Sequence, residues 1–217
     1  MAWCGVMSYF IIGFILGIIA VAILFRILVK CSYSKRRRLT RPSNRDWVFT
    51  PEYKRAGIRG EEAAVRAIRP ILRGDDHLLT NVRIAYDDKP TELDAVIVNK
   101  YGVFIFEIKN YVGLIVGGEN DYEWQKFKTT KAGNTYEKKV MNPIKQVKRQ
   151  IFILAHYLEY YGLRVWVKGY AILLEDNSPV ESDYLLHSVA DIECAIHTRD
   201  RTLLSADTVD AIIKLIS

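Results

Sequence analysis

Cysteine and histidine are scarce in this 217-residue sequence, which holds three of the first and four of the second. Neither a CxxC nor an HExxH motif is present, and the cysteines stand far apart along the chain. This spacing argues against a disulfide scaffold and a zinc site, and it favours a reducing compartment. Internal repeats and low-complexity insertions are also missing from residues 51–217. We therefore expect that stretch to form one domain.

Residues 51–217 also have no large excess of basic or of acidic side chains. Residues 1–50 carry eight basic side chains and one acidic side chain, a net +7, which leaves 23 basic and 24 acidic side chains, a net −1, for residues 51–217. The net +6 of the whole chain therefore does not indicate a basic nucleic-acid-binding face on the domain. Any argument for nucleic-acid binding has to rest on particular residues.

Charged residues are absent from residues 9–25, within a long apolar run at the start of the chain. About 20 apolar residues in a helix cross the ~30 Å hydrocarbon layer of a bilayer. No Lys or Arg precedes Arg26, whereas a cleaved signal peptide begins with a basic region. We predict a retained transmembrane helix over residues 7–29, a basic juxtamembrane linker over residues 30–50 and the main domain over residues 51–217.

The basic cluster directly after the apolar run sets the expected orientation. By the positive-inside rule, the protein is predicted to be a single-pass protein of the cell membrane, with its N-terminus outside and its C-terminal domain in the cytosol. Attraction to anionic lipids of the bilayer explains the run at residues 35–38 better than a nucleic-acid patch does. Gly13 and Gly17 form a GxxxG spacing that suits a homodimer, although glycine is common in membrane spans in any case.

Hydrophobic periodicity predicts a mixed α/β (α+β) domain. Helices are expected over residues 56–72, from Asn142-Pro143 to Gly162, and from about residue 205 to 216. Strands are expected at residues 77–86, 91–98, 103–109 and 165–174, with shorter ones near residues 114–116, 123–128 and 184–189. The core order is helix, three strands, helix, strand.

The strands at residues 91–98 and 103–109 are predicted to form a hairpin. If its loop has an even number of residues, the numbers of cross-strand partners sum to 201, so Asp94 lies opposite Glu107. Period-two alternation places Glu107 and Lys109 on one face of a strand pair that is otherwise apolar on both faces. Two carboxylates in such a place repel each other and lose hydration. The arrangement is unfavourable unless a cation lies between them.

The cation has two candidates, a divalent metal and Lys109. Carboxylate oxygens without His or Cys ligands suit Mg²⁺ or Mn²⁺. A buried structural network of Asp94, Glu107 and Lys109 is the alternative, because ion pairs also occur in cores. Helical phase adds a third carboxylate: Glu61 falls within about 60° of the apolar face of its helix, while Glu62 points to solvent.

Five motifs follow one another in suitable order. They are Gly57-x-x-Gly60-Glu61, Glu92-Leu93-Asp94, the run GVFIFEIKNY from Gly102 to Tyr111 with Gly113 after it, Trp124, and Asn142-Pro143-x-x-Gln146. With these motifs the chain resembles the nuclease-related domain (NERD) family of the PD-(D/E)XK nuclease-like superfamily, over about residues 56–161. The resemblance implies a restriction-endonuclease-like core of helix, three strands, helix and strand.

The resemblance also implies a Mg²⁺- or Mn²⁺-dependent nuclease that hydrolyses phosphodiester bonds. Asp94 and Glu107 would hold the metal together with the backbone carbonyl of Ile108. Lys109 would orient the attacking water or balance transition-state charge. The expected partner is nucleic acid, with DNA the first expectation.

Two further residues receive roles from the same resemblance. Glu61 would act through the metal or its water, and Gln146 would orient substrate or water. Some family features also have purely structural explanations: Gly60 suits close helix packing, and Trp124 suits a local core. A catalytically inactive, membrane-tethered nucleic-acid-binding or scaffolding module on the same fold is the alternative function.

Overall fold

A computed structural model describes residues 52–130, 132–175, 177–199 and 201–217, with the backbone alone for residues 52–54. The predicted transmembrane helix over residues 7–29, its Gly13/Gly17 contact and the linker over residues 30–50 lie outside the described residues. Within the described ranges, no helix combines the length and the apolar character that a bilayer crossing requires.

The observed elements follow the predicted order. The helices are α1 (Glu52–Ile68), which continues into a 3₁₀ turn (Arg69–Ile71), α2 (Pro143–Tyr160), α3 (Val189–His197) and α4 (Ala206–Ile216). The strands are β1 (His77–Tyr86), β2 (Lys89–Asn99), β3 (Gly102–Lys109), β4 (Leu114–Val116), β5 (Glu123–Thr129), β6 (Thr135–Met141), β7 (Val167–Leu173) and β8 (Leu185–Leu186). The mixed α+β class is confirmed.

Three elements differ from the sequence-based expectation. Strand β6 and helix α3 were not expected, and the short strand expected at residues 184–189 is limited to β8. The helix takes over there because the Ser188 side chain accepts a hydrogen bond from the backbone N–H of Asp191. Such an N-cap gives a backbone N–H of the first helical turn a hydrogen-bond acceptor, which in a strand would come from a neighbouring strand.

Among the described strands, five form one mixed sheet in the order β1-β2-β3-β7-β8. Strands β1, β2 and β3 are antiparallel, whereas β7 runs parallel to β3. A tight turn links β1 to β2 at Asp87 and Asp88, whose φ angles of 51° and 55° suit a type I′ hairpin turn. The partners of β2 and β3 run from Asn99 with Gly102 to Ala95 with Phe106, so the predicted sum of 201 is confirmed.

Helices cover both faces of this sheet. Helices α1 and α3 pack on the face that holds Phe104 and Phe106, while α2 and α4 pack on the face that holds Val103 and Ile105. Strand β3 is therefore buried along nearly its whole length. Burial of each such aliphatic side chain contributes about 1.5–3 kcal/mol, so the central strands form a rigid support for any polar group on them.

The other three described strands form a small antiparallel sheet in the order β4-β5-β6. Trp124 of β5 is fully buried there, and its indole N–H donates to the carbonyl of Gly118 over 2.9 Å. It packs in a third core with residues of α2 and β7, among them Ile144 and Leu173. This packing agrees with the structural explanation of Trp124 as a local core residue.

Asn142 joins the small sheet to α2. Its side chain accepts from the backbone N–H of Ile144 as the N-cap of α2 and donates to the carbonyls of Gly118, Glu119 and Asp121. Asn142 is fully buried, so these four bonds satisfy an amide that would otherwise be costly. The Asn-Pro motif thus fixes where α2 begins, and with it the direction of the helix across the sheet.

Candidate active site

The predicted carboxylate pair forms at the end of the β2–β3 ladder. Ala95 pairs with Phe106, so Asp94 and Glu107 are the next opposed residues. Glu107 is only 1% exposed, although it carries a carboxylate. One Asp94 carboxylate oxygen accepts the backbone N–H of Ile108 over 2.8 Å. The structure therefore places a buried and a half-buried acidic group side by side where the β2–β3 ladder ends.

The backbone bends beside Asp94. Thr80 pairs with Ala95 and Val82 with Leu93, so Asn81 lies at the level of Asp94. Asn81 has a φ of 54°, a left-handed conformation that asparagine tolerates better than most residues. Irregular backbone of this kind redirects side chains within a sheet and is frequent beside functional sites.

Lys109 supplies the positive charge that was expected on this face. Its ammonium donates to Oε1 of Glu107, and its side chain is 20% exposed. Burial by itself lowers the pKa of Lys109, but the charge of Glu107 and the hydrogen bond to it outweigh burial, so the pKa is raised. Lys109 is thus a fixed cation at neutral pH.

Asp94 is the less stabilised of the two acids. Burial raises its pKa from the ordinary 3.8 to about 7, the charge of Glu107 adds to this, and the Ile108 N–H and Lys109 oppose it. The carboxyl is therefore near half-protonated around neutral pH when no further cation is present. A bound cation would favour its ionised form.

Gln150 of α2 is a site residue that the sequence analysis missed. Its amide nitrogen donates to Oε2 of Glu107 over 2.5 Å and to the backbone carbonyl of Glu92 over 3.2 Å. Gln150 is fully buried, and among the described residues its amide oxygen has no hydrogen-bond partner. The sequence held a signal, since a polar residue three positions after Val147 stands in the apolar stripe of the helix and needs a partner.

The predicted Gln146 stands one helical turn before Gln150 and is half-buried. Within the described part of the chain, its side chain has no hydrogen bond to the carboxylate pair. The structure thus brings a glutamine of α2 to Glu107, but it is Gln150, which lies deeper along the helix. A role for Gln146 toward a substrate stays a prediction.

Glu61 approaches the pair from α1. It is half-buried while Glu62 is exposed, as helical phase predicted. Burial raises the pKa of Glu61, and the charges of Glu92 and Glu107 add to that rise, whereas Lys109 lowers it. Glu61 therefore lies close enough to the carboxylate pair to be affected by its charge.

Close packing brings α1 to this position. A Cβ built on Gly60 would lie 2.7 Å from the Cβ of Asn110, far inside normal contact distance. Asn110 directly follows Lys109, and its side-chain amide donates to the carbonyl of Ala56 over 2.9 Å. These contacts support the packing explanation of Gly60, and they hold α1 against the end of β3.

The donor set suits a hard divalent cation. Among the described residues, Lys109 is the cation whose charge acts on both Glu61 and Asp94, while Glu92 is paired with Arg83 at 3.1 Å. Carboxylate oxygens are ligands that Mg²⁺ and Mn²⁺ prefer. In the described ranges, however, no three acidic, histidine or cysteine side chains converge closely enough to hold a metal. This geometry fits two carboxylate ligands, with Glu61 at a greater distance.

The basic residues on the exposed side of α2 have partners within the chain. Lys148 donates to Glu119 over 2.7 Å and lies over the ring of Tyr184 at 4.5 Å. A guanidinium nitrogen of Arg149 donates to the carbonyl of Pro90. These contacts give Lys148 and Arg149 structural roles next to the site.

Comparison with known families and proteins gave one match. The family model described as nuclease-related domain (NERD) matches residues 56–174, which is more than half of the 217-residue chain. The match begins at α1 and ends just after β7, so it includes the carboxylate pair and the whole of α2. No curated protein matches the chain, and no solved structure does.

Proposed function

Because the chain belongs to the nuclease-related domain (NERD) family, we propose that its residues 51–217 form a divalent-metal-dependent nuclease on a restriction-endonuclease-like core. The reaction is hydrolysis of a nucleic-acid phosphodiester bond, with DNA as the expected substrate. The observation that carries this proposal is the opposed pair of half-buried Asp94 and buried Glu107, with Lys109 bonded to Glu107. Such a group is costly in a sheet centre and needs a reason to be there.

Each site residue has a role in this proposal. Asp94 and Glu107 would hold Mg²⁺ or Mn²⁺, with the carbonyl of Ile108 as a further ligand. When bound, the metal supplies Lewis-acid stabilisation and lowers the pKa of a water molecule. Gln150 holds the Glu107 carboxylate in one orientation through its 2.5 Å hydrogen bond.

The remaining groups act on the water and on the developing charge. In hydrolysis, the water oxygen bonds to phosphorus and the water gives up a proton to solvent. The phosphorus–oxygen bond to one strand end breaks, and the leaving oxygen takes up a proton from solvent. Lys109 would offset the negative charge that grows on the phosphoryl oxygens. Glu61, whose pKa is raised by burial and neighbouring acids, suits transfer of the proton through water, and Gln146 would contact substrate.

We further propose that the domain is tethered to the cell membrane by residues 7–29, with its C-terminal part in the cytosol and the bilayer as a partner. The uncharged run at residues 9–25 and the net +7 of residues 1–50 support this. Reporter fusions at residue 50 and at the C-terminus should both report cytosol. External activity at either point would contradict the orientation.

Crosslinking of wild type against a Gly13→Leu, Gly17→Leu variant tests a homodimer through these glycines.

The test of the nuclease uses the purified full-length chain with plasmid and single-stranded DNA. Cleavage is expected in Mg²⁺ and should stop in EDTA. Asp94→Asn and Lys109→Ala should each lower the rate by orders of magnitude. Glu62→Gln is the matched control, because Glu62 neighbours Glu61 but is exposed, and it should leave the rate nearly unchanged. Cleavage that persists in EDTA or in Asp94→Asn would contradict a metal mechanism.

A binding or scaffolding module without turnover is the second candidate. Two observations favour it: the net −1 of residues 51–217, and the lack, among the described residues, of three clustered ligand side chains. Absence of cleavage on every substrate, together with metal-independent DNA binding, would establish this alternative over the nuclease.

A further inference from the structure

The small sheet separates its charges by face. Cross-strand pairs join Trp124 to Val140, Lys126 to Lys138 and Lys128 to Tyr136. Because side chains alternate along a strand, these six residues share one face of the β5–β6 hairpin, called here the inner face. Trp124 and Val140 of that face pack in the third core, so this end of the inner face is turned toward α2 and β7. Lys128, Tyr136 and Lys138 at its other end are exposed.

The acids of the hairpin lie on its other face. Glu123 and Glu137 alternate with the inner residues, and Glu123 pairs with Lys139 at 3.4 Å. Three of the four described lysines of β5 and β6 therefore share the inner face, where neither strand places an acid. The near-neutral total charge of the domain conceals this separation.

The inner lysines repel one another. Lys126 and Lys138 are directly opposed, and Lys128 lies two residues further along β5, a distance of ~7 Å. The pKa of Lys126 is lowered by burial and then by the charges of Lys128 and Lys138, with Glu175 opposing. Within the described ranges none of the three forms a salt bridge, whereas Lys139 and Lys148 do. Such a cluster is stabilised when anions bind to it.

The inner face reaches Tyr111, which lies near the carboxylate pair. The ammonium of Lys126 lies 5.5 Å from the centre of the Tyr111 ring. Tyr111 stands two residues after Lys109. Its pKa is raised, chiefly by burial, while the charge of Lys109 opposes the rise and that of Glu107 adds to it. A chain of side-chain interactions therefore runs from Glu107 through Lys109 and Tyr111 to Lys126. At its far end, opposite Lys128, the ring of Tyr136 is 61% exposed.

We propose that the inner face of the β5–β6 hairpin binds an unpaired nucleic-acid strand, with backbone phosphates on Lys126, Lys128 and Lys138 and a base stacked on Tyr136. This inference rests on the proposed function, because it supplies the strand that enters the carboxylate site. Proteins usually bind single strands with basic side chains that contact the nucleic-acid backbone and with exposed aromatic rings that stack on the bases. A duplex does not offer the free base face that Tyr136 requires.

Binding is measured by fluorescence anisotropy of a labelled single-stranded oligonucleotide with the full-length chain in EDTA, where cleavage cannot interfere. Replacement of two lysines, Lys126→Gln with Lys138→Gln, should weaken binding at least about tenfold at low salt. The slope of log Kd against log salt should fall by about 1.4, since each lost phosphate contact on a single strand contributes about 0.7. Arginine at both positions should restore the slope. Tyr136→Ala should weaken binding about tenfold without changing the slope.

Lys139→Gln is the matched control, because Lys139 neighbours Lys138 but lies on the outer face and is paired with Glu123. It should leave binding unchanged. Equal losses in the Lys139 variant and the double variant would overturn the proposal, as would tighter binding of a blunt duplex than of the single strand. If the double variant loses binding to short-chain phosphatidylserine but still binds the oligonucleotide like wild type, the inner face binds lipid instead.

These outcomes separate this inference from the nuclease proposal. If wild type binds the oligonucleotide through the inner lysines but cleaves nothing, the nuclease fails and the binding face stands. If wild type cleaves, while the double variant binds and cleaves like wild type, the binding face fails and the nuclease stands. In an active enzyme the double variant should raise KM and leave kcat nearly unchanged.

Discussion

Asp94 and Glu107 oppose each other across one hairpin, but their surroundings differ. Glu107 accepts hydrogen bonds from Lys109 and Gln150, so its position is fixed from two sides. Asp94 accepts one backbone N–H, and burial raises its pKa to about 7. Asp94 and Glu107 therefore contribute differently to the stability of the metal-free protein, although they occupy opposed positions.

This difference predicts opposite effects of neutralising each acid. Asp94→Asn keeps an acceptor for the Ile108 N–H and removes the repulsion with Glu107, so the metal-free protein should be as stable or more stable at pH 7. Glu107→Gln leaves Lys109 buried without its partner and should cost about 3–5 kcal/mol. Urea unfolding in EDTA measures both. Destabilisation by Asp94→Asn equal to that by Glu107→Gln would contradict the difference.

The two glutamines of α2 provide a matched pair. Gln150 is buried against Glu107, whereas Gln146 stands one turn earlier and is half-buried. Gln150→Leu should weaken the stabilisation of the protein by Mn²⁺ and lower the cleavage rate, because Glu107 loses its orienting donor. Gln146→Leu should leave metal binding unchanged and affect only KM. The measurements are a thermal shift in Mn²⁺ and steady-state kinetics. A larger metal effect at Gln146 than at Gln150 would contradict the orienting role of Gln150 toward Glu107.

Among the elements, the close contact between α1 and the end of β3 gives a prediction about glycine. Gly60→Ala should cost about 1–3 kcal/mol, because the new methyl group meets Asn110 and Leu174 at 2.7 and 3.0 Å. Gly57→Ala in the same helix has no described atom within 4 Å and should instead stabilise by up to ~1 kcal/mol. Thermal unfolding compares the two. Equal effects would show that the contact with Asn110 is not tight.

The sequence predicted the register of the hairpin at the site because any loop with an even number of residues leaves the same cross-strand partners. Helical phase likewise separated Glu61 from Glu62. Strand β6 escaped prediction because most of its residues are exposed and polar, so its pairing with β5, rather than any apolar alternation, makes it a strand. Gln150 could not be assigned to the site because its polar character in the apolar stripe of α2 does not say which group it contacts. A buried partner becomes visible only once the sheet beneath α2 is known.

For the whole molecule, the carboxylate pair predicts a dependence of stability on pH. The folded pKa of Asp94, about 7, lies above its ordinary 3.8, so between these values the folded state holds a proton that the unfolded state releases. The free energy of unfolding of the metal-free protein should therefore fall as pH rises from 4 to 7, by on the order of 2–4 kcal/mol. Glu61, with a raised pKa, acts in the same direction.

Urea unfolding in EDTA at pH 5 and pH 8 measures this dependence, with Asp94→Asn as the control that should lose most of it. Mg²⁺ binds the ionised form, so added Mg²⁺ should stabilise wild type more at pH 8 than at pH 5 and should not stabilise Asp94→Asn. A wild-type stability that rises between pH 5 and pH 8 in EDTA would contradict the raised pKa.

The two neighbours of β3 lie at very different distances along the chain. Strand β2 precedes it by a two-residue loop, whereas Val103 meets Val167 of β7 only after the small sheet and α2 have intervened. Hairpins close within microseconds, while pairing across long loops is slower. We expect the chain to bring Asp94 and Glu107 together early in folding, before α2 brings Gln150 over them. Their repulsion would then slow refolding, so in EDTA Asp94→Asn should act mainly on the refolding arm of a chevron plot and scarcely on the unfolding arm.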